Sequence, residues 1–177
     1  MEDAADDMVS VRPASPADRP QVERVIREGL LPGRVDYESR DAERIRQSLG
    51  SERERFLVAE AQGRVIGTVA VVEASPDVGQ IHWLRVDPRW QADMTVARRL
   101  AGAAVRHARE VGLLKLAVHA PAEAEERVAA YYHELGFEFS RARDVEGVHV
   151  MEFYVNLYDR PQPRESPGTG PAGARTE

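Results

Sequence analysis

Gln80-Ile-His-Trp-Leu-Arg-Val86, closed by Asp87-Pro88, is the stretch on which the fold turns. It reads as a strand, and the X-Pro pair ends it, because proline cannot donate to a ladder. From Met94 to Val111 the period changes. Val96, Leu100, Ala104 and His107 fall on one helical face, and Gly112 supplies a helix stop. Leu113 to Ala120 then runs nearly continuously apolar, as a strand covered on both faces does. A strand, a long helix and a second strand predict two parallel neighbours joined by a crossover.

The chain on either side is built of hairpins. Val9 to Arg12 alternates as a short first strand. Ser15, Pro16 and Asp18 open a helix whose apolar face is Val22, Val25, Ile26 and Leu30, with Leu31-Pro-Gly33 after it. A second helix is predicted over Arg40 to Leu49, closed by Gly50. Phe56 to Glu60 and Val65 to Glu73 are strands around Gln62-Gly63, and Ser75-Pro-Asp77 turns into the central strand. After the crossover, a helix runs to Leu135 and stops at Gly136. Phe137 to Arg141 and His149 to Leu157 form a last pair around Asp144-Val-Glu-Gly147. The order β-α-α-β-β-β-α-β-α-β-β predicts an α/β fold, a mixed sheet with helices on both faces. One domain over 9–158 is expected, with a disordered acidic start at 1–8 and a disordered Pro/Gly-rich tail at 159–177.

Composition narrows the function. Cysteine is absent, which removes disulfides and thiolate chemistry, and the five histidines show no metal-ligand spacing. No metal is therefore expected. The net charge of −6 disfavours nucleic acid and suits a cationic small molecule better. No apolar run reaches bilayer length and no signal peptide opens the chain, so no membrane partner and a cytoplasmic location are expected.

Four pieces, in order, and then the chain's ending resemble the GNAT (GCN5-related) N-acetyltransferases over roughly Val9 to Leu157. Val11 to Pro20 is similar to the family's first strand and helix opening, and Gly63-Arg-Val-Ile-Gly-Thr-Val69 to its second hairpin. Leu84-Arg-Val-Asp-Pro-Arg-Trp90 resembles the strand end before its cofactor loop. Ala129-Ala-Tyr-Tyr-His-Glu-Leu-Gly-Phe137 resembles its late helix. Met151 to Tyr158 resembles the ending of small stand-alone bacterial members. The resemblance implies a GNAT-like acyl-CoA N-acyltransferase fold, acetyl-CoA as co-substrate, an amine acceptor and a possible homodimer. It implies that the pantetheine arm pairs with backbone at Leu84, Arg85 and Val86. It places the pyrophosphate at the next helix start, across Gln91, Ala92, Met94, Thr95, Val96, Ala97 and Arg98. It makes Tyr132 the general acid to the leaving thiolate, with Tyr131 facing elsewhere.

The chain also departs from the family. The usual loop is Arg/Gln-x-x-Gly-x-Gly/Ala, whereas Gln91-Ala-Asp-Met-Thr-Val-Ala97 has no glycine. Asp93 puts a carboxylate near the phosphate position, and helix capping is its other reading. Arg89, Arg98 and Arg99 are offered as compensating cations. Gln80 stands where a glutamate base is common. His82, expected on the same face as Gln80 and Leu84, is the first candidate base and Glu73 the second. Three readings remain open at this point: an N-acetyltransferase of a small or amino-acid-like primary amine, acting by direct attack; transfer to a protein amine; and a catalytically degenerate acyl-CoA-binding sensor or partner module.

Overall fold

The computed structural model describes residues 9–29, 39–92, 94–121, 125–145 and 147–158. The two ends expected to lack structure, and the Leu31-Pro-Gly33 stop, lie outside the described residues. Among the described residues seven strands form one sheet: β1 (Ser10–Pro13), β2 (Glu54–Ala61), β3 (Arg64–Glu73), β4 (Val78–Val86), β5 (Lys115–Pro121), β6 (Glu138–Val145) and β7 (Val148–Asn156). Four α-helices accompany them among the described residues: α1 (Arg19–Glu28), α2 (Ser39–Leu49), α3 (Thr95–Glu110) and α4 (Glu125–Glu134). The spatial order is β1-β2-β3-β4-β5-β7-β6. Strands β1 to β4 are antiparallel neighbours, β4 and β5 are parallel across α3, and β7 pairs antiparallel with β5 and β6. The element order is the one expected.

Period-two alternation divides the sheet between two cores. Phe56 and Val58 pack with Val22, Val25 and Ile26 of α1 and Ile45 of α2. Leu57, Ala59 and Ala61 turn the other way, toward Val96, Leu100 and Ala104 of α3 and Val128 and Tyr132 of α4. The helices therefore cover both faces, α1 and α2 on one and α3 and α4 on the other. Among the described residues no helix is long and apolar enough to cross a membrane.

Some boundaries differ from the pattern. Leu113 and Leu114 belong to the joint and not to β5. Leu113 N–H closes the end of α3 on the Ala108 carbonyl, and the N–H groups of Leu114 and Lys115 both reach the Asp77 carbonyl, at 2.9 and 3.1 Å. The last hairpin is tighter than its loop residues suggested, with β6 running on to Val145. One expectation is overturned. His82 and Leu84 do not share a face, because β4 carries a bulge between them. Ala70 pairs with His82 but Thr68 pairs with Arg85, so two residues of β4 oppose Val69 alone. Trp83 takes the extra position at φ 55°. Leu84 thereby joins the α3 core and Trp83 the α1/α2 core.

Candidate active site

Strands β4 and β5 pair only from Val78–Ile81 to Lys115–Val118, and beyond these residues they part. The alternation of backbone groups determines what the resulting cleft meets. Asp87 N–H donates to Ile66 at 2.8 Å, so Arg85 and Asp87 turn their backbone to β3, while Leu84 and Val86 turn theirs to the cleft. Both of these carbonyls are engaged by the chain's own side chains. Gln91 Nε2 donates to Val86 O at 2.7 Å, and Arg85 Nη1 donates to Leu84 O at 2.7 Å. Arg85 is 4% exposed, a buried guanidinium beside the cleft. Behind it, Thr68 Oγ1 donates to Trp83 O at 2.7 Å and pins the bulge.

Asp87 anchors the end of β4. Its carboxylate accepts from Arg89 and from Arg24 Nη1 of α1, and these guanidinium bonds hold it well below the usual carboxylate range. Helix α1 presses close here. A Cβ on Gly29 would stand 2.5 Å from Val86 O and 2.6 Å from Val25 O.

The loop after β4 reaches α3 through Met94, which is the N-cap residue at φ 62°, ψ 0°, with no side-chain cap bond. This left-handed conformation is the one a glycine would adopt freely. The backbone has therefore taken the shape that the missing glycine would allow. Asp93 lies outside the described residues. Val96 and Ala97 bury their side chains in the α3 core and offer a ligand only backbone, whereas Ala92 is exposed and Thr95 half-buried. The three arginines have protein partners: Arg89 with Asp87, Arg98 with Glu134 of α4, and Arg99 with the Val9 carbonyl.

On the α1/α2 side of the sheet, His82 stands half-buried at the mouth of the cleft. Burial lowers its pKa, and Arg44 lowers it further. Among the described residues no hydrogen bond reaches either of its ring nitrogens. Its neighbour His119, first residue of β5 beyond the paired segment, is fully engaged. Gln80 Nε2 contacts its Nδ1 at 2.6 Å, and its Nε2 meets Glu152 at 3.1 Å. The amide donating to Nδ1 leaves the ring proton on Nε2, facing the carboxylate. Burial pushes Glu152 up, but His119, Lys115 and Arg141 outweigh it and hold the carboxyl below its ordinary value.

On the other side, Tyr132 is 2% exposed, stacked on Phe153 with ring centroids 5.1 Å apart. Tyr131 does not face elsewhere. Its ring meets Tyr132 edge-on at 5.3 Å; burial raises its pKa, the Tyr132 phenol adds to this, and Arg85 opposes it. The two phenols and the Arg85 guanidinium thus form one group beside the cleft. Glu73 is not brought to it. It ends β3 on the α3 face, where it acts on His107. Among the described residues no group of three or more His, Asp and Glu could hold a metal.

The family model for the acetyltransferase (GNAT) family matches residues 22–137, well over half of the chain. The chain belongs to the GNAT family. No curated protein matches it. Solved structures share the fold. A GNAT acetyltransferase from Desulfovibrio desulfuricans has 16% identity and TM-score 0.71, over 85% of this chain and 99% of that one. A spermidine N-acetyltransferase chimera from Vibrio cholerae and hSSAT has 21% identity and TM-score 0.66, over 85% and 96%. The acetyltransferase yncA from Salmonella typhimurium, solved with acetyl-CoA, has 17% identity and TM-score 0.62, over 89% and 99%. The GNAT assignment, the mixed sheet and the enzyme class, a GNAT-type N-acetyltransferase, agree with the reading of the sequence.

The GNAT frame also shows which side chains that reading passed over. In the sequence Arg85 stands out for its backbone position alone, and His119, like the other histidines, lacks metal-ligand spacing. Alternation from Lys115 to His119 and from Glu152 to Tyr154 puts polar residues on one face of otherwise apolar strands, and that was the available signal.

Proposed function

We propose that a single domain over 9–158 binds acetyl-CoA in the cleft between β4 and β5 and passes the acetyl group to a primary amine arriving on the α1/α2 side. The observation that carries this reading is the pair of cleft-facing carbonyls at Leu84 and Val86, which the parting of the strands leaves unpaired with β5 and which the Arg85 and Gln91 side chains satisfy instead. A bound strand-like ligand exchanges with Arg85 and Gln91 at those carbonyls, a backbone mode that tolerates varied side chains. The start of α3, with Met94 already left-handed, suits the pyrophosphate through helix-terminal amides and the dipole. Bound acetyl-CoA supplies the activated thioester. Gln91, Ala92, Met94 and Thr95 flank its phosphates, Val96 and Ala97 offer backbone, and Arg98 comes to them by leaving Glu134.

His82 accepts the proton that the acceptor ammonium must lose before its nitrogen attacks. It is the histidine on this face with unengaged ring nitrogens, and its lowered pKa keeps it neutral at neutral pH. Tyr132 returns a proton to the departing sulfur, with the Tyr131 ring edge-on to its own and Arg85 acting on Tyr131. Cytoplasmic residence and a homodimer accompany this reading as proposals.

Thiol release from acetyl-CoA, measured against a panel of primary amines, tests it. Turnover slowed about 10²-fold or more by Tyr132→Phe is the expected result. Acetyl-CoA binding without turnover of any amine would instead favour the sensor reading, which the glycine-free loop supports.

A further inference from the structure

The α1/α2 face of the sheet is covered unevenly. The core beneath α1 and α2 draws on β2, β3 and Trp83 of β4, and on no residue of β5, β7 or β6. There, among the described residues, the same face carries Lys115 and His119 of β5, Glu152 and Tyr154 of β7, and Glu138, Arg141 and Arg143 of β6. Strand register sets them side by side: His119 opposes Glu152, and Glu152 opposes Arg141.

Glu152 is the buried centre of this group, with a side chain 6% exposed. His119 and Lys115 approach it from β5, Arg141 and Arg143 from β6. The charges are not matched locally. Lys115 also lies 4.8 Å over the Tyr154 ring, whose hydroxyl donates to Glu138, so the lower end of the group contains both signs. At the upper end, nearer the parting of β4 and β5, two arginines face the single carboxylate. Their contacts are long, Arg143 Nη1 at 3.4 Å and Arg141 Nε at 3.7 Å, beyond the best range for a charge-assisted bond. Arg141 is 62% exposed and Arg143 41% exposed. Each guanidinium is a planar fork of five N–H donors matched to a carboxylate, and Glu152 occupies few of them. Around His82, among the described residues, Arg44 and Glu54 act in opposite directions.

We propose that Arg141 and Arg143 are the anion-recognising end of the acceptor site, so that the acceptor is an amine carrying a carboxylate. This rests on the reading that the amine arrives at His82. It inverts what the net charge of −6 suggests, because the local charge on this face is positive at its upper end. Arg141 and Arg143 belong to β6, but their guanidinium groups reach back to Glu152 of β7, so the reach from β4 is two strand spacings, on the order of 10 Å. Three extended residues span about that length. The acceptor class is therefore a short peptide or similarly long amino acid, with Glu152 holding the two arginines in place and His119 and Gln80 bridging them to β4.

The test compares triglycine with triglycinamide, which share the amine and differ in the terminal charge. Acetyl-CoA binding is measured first, and acceptor preference is then read as kcat/KM, or as Kd in the presence of CoA if turnover is absent. The expected result is a preference of about tenfold or more for triglycine, as a charge-assisted bidentate contact gives. It should fall to near unity in the double variant Arg141→Gln, Arg143→Gln. Equal use of the two peptides, preference for triglycinamide or spermidine, or a triglycine preference that survives in the variant overturns the inference while leaving transferase activity intact. Failure of the unaltered protein to bind acetyl-CoA overturns both.

Discussion

The guanidinium of Arg85 donates to the carbonyl oxygen of Leu84 at 2.7 Å, across a peptide that otherwise faces the open cleft. A ligand that pairs with β4 must exchange with this bond. Arg85→Met is expected to tighten acetyl-CoA binding about tenfold, because the Leu84 carbonyl then has no guanidinium for the ligand to displace. Calorimetric titration reads the change. Weaker binding would mean that the guanidinium itself holds the ligand.

Met94 is held at φ 62° without the freedom glycine has. A left-handed L-residue costs about 1–2 kcal/mol, and glycine returns roughly half of that as unfolded-state entropy. Met94→Gly should therefore raise the unfolding free energy by up to about 1 kcal/mol and strengthen acetyl-CoA binding by freeing the approach to the α3 amides. Met94→Val should do the reverse. Denaturant titration of both variants distinguishes a strained loop from a relaxed one.

His82 has a pKa below the histidine norm of about 6.5, through burial first and Arg44 second. As a base it works unprotonated, so kcat/KM should be flat at neutral pH and fall on the acid side with an apparent pKa below 6.5. His82→Gln should cost about 10²- to 10⁴-fold and abolish that limb. Stability carries the same sign. The unfolded chain binds the His82 proton more readily, so stability declines as pH falls through about 6.5. The depressed carboxyls of Asp18 and Asp87 extend the loss lower, since their contribution is present above the unfolded carboxylate pKa and vanishes as pH falls through the folded ones.

Gly29 allows α1 to touch the end of β4. The atoms a Cβ would meet, Val86 O and Val25 O, are backbone and cannot swing aside. Gly29→Ala is expected to destabilise the protein by about 1–3 kcal/mol and to displace the Val86 carbonyl. A melting-temperature drop accompanied by weakened acetyl-CoA binding is the predicted outcome. An unchanged melting temperature would contradict the close approach.

The fold was readable because its signals are local and repeated. Apolar period in 94–111, the turns at Gln62-Gly63 and Ser75-Pro-Asp77, and the apolar run into Ala120 each specify one element. The site was less legible. Whether His82 shares a face with Leu84 depends on one extra residue at Trp83, and nothing in an aromatic residue announces a left-handed bulge. The loop at Met94 looked unfit because composition reports which residue is present and not the strain it bears. The approach of His119 to Gln80 and Glu152 joins three strands distant in sequence, so it emerges only from register.

The most direct measurement is calorimetric titration of the unaltered protein with acetyl-CoA. One site per chain, weakened when Gly29→Ala displaces the Val86 carbonyl and strengthened by Arg85→Met, is the result the cleft predicts. No heat of binding at millimolar acetyl-CoA would contradict it.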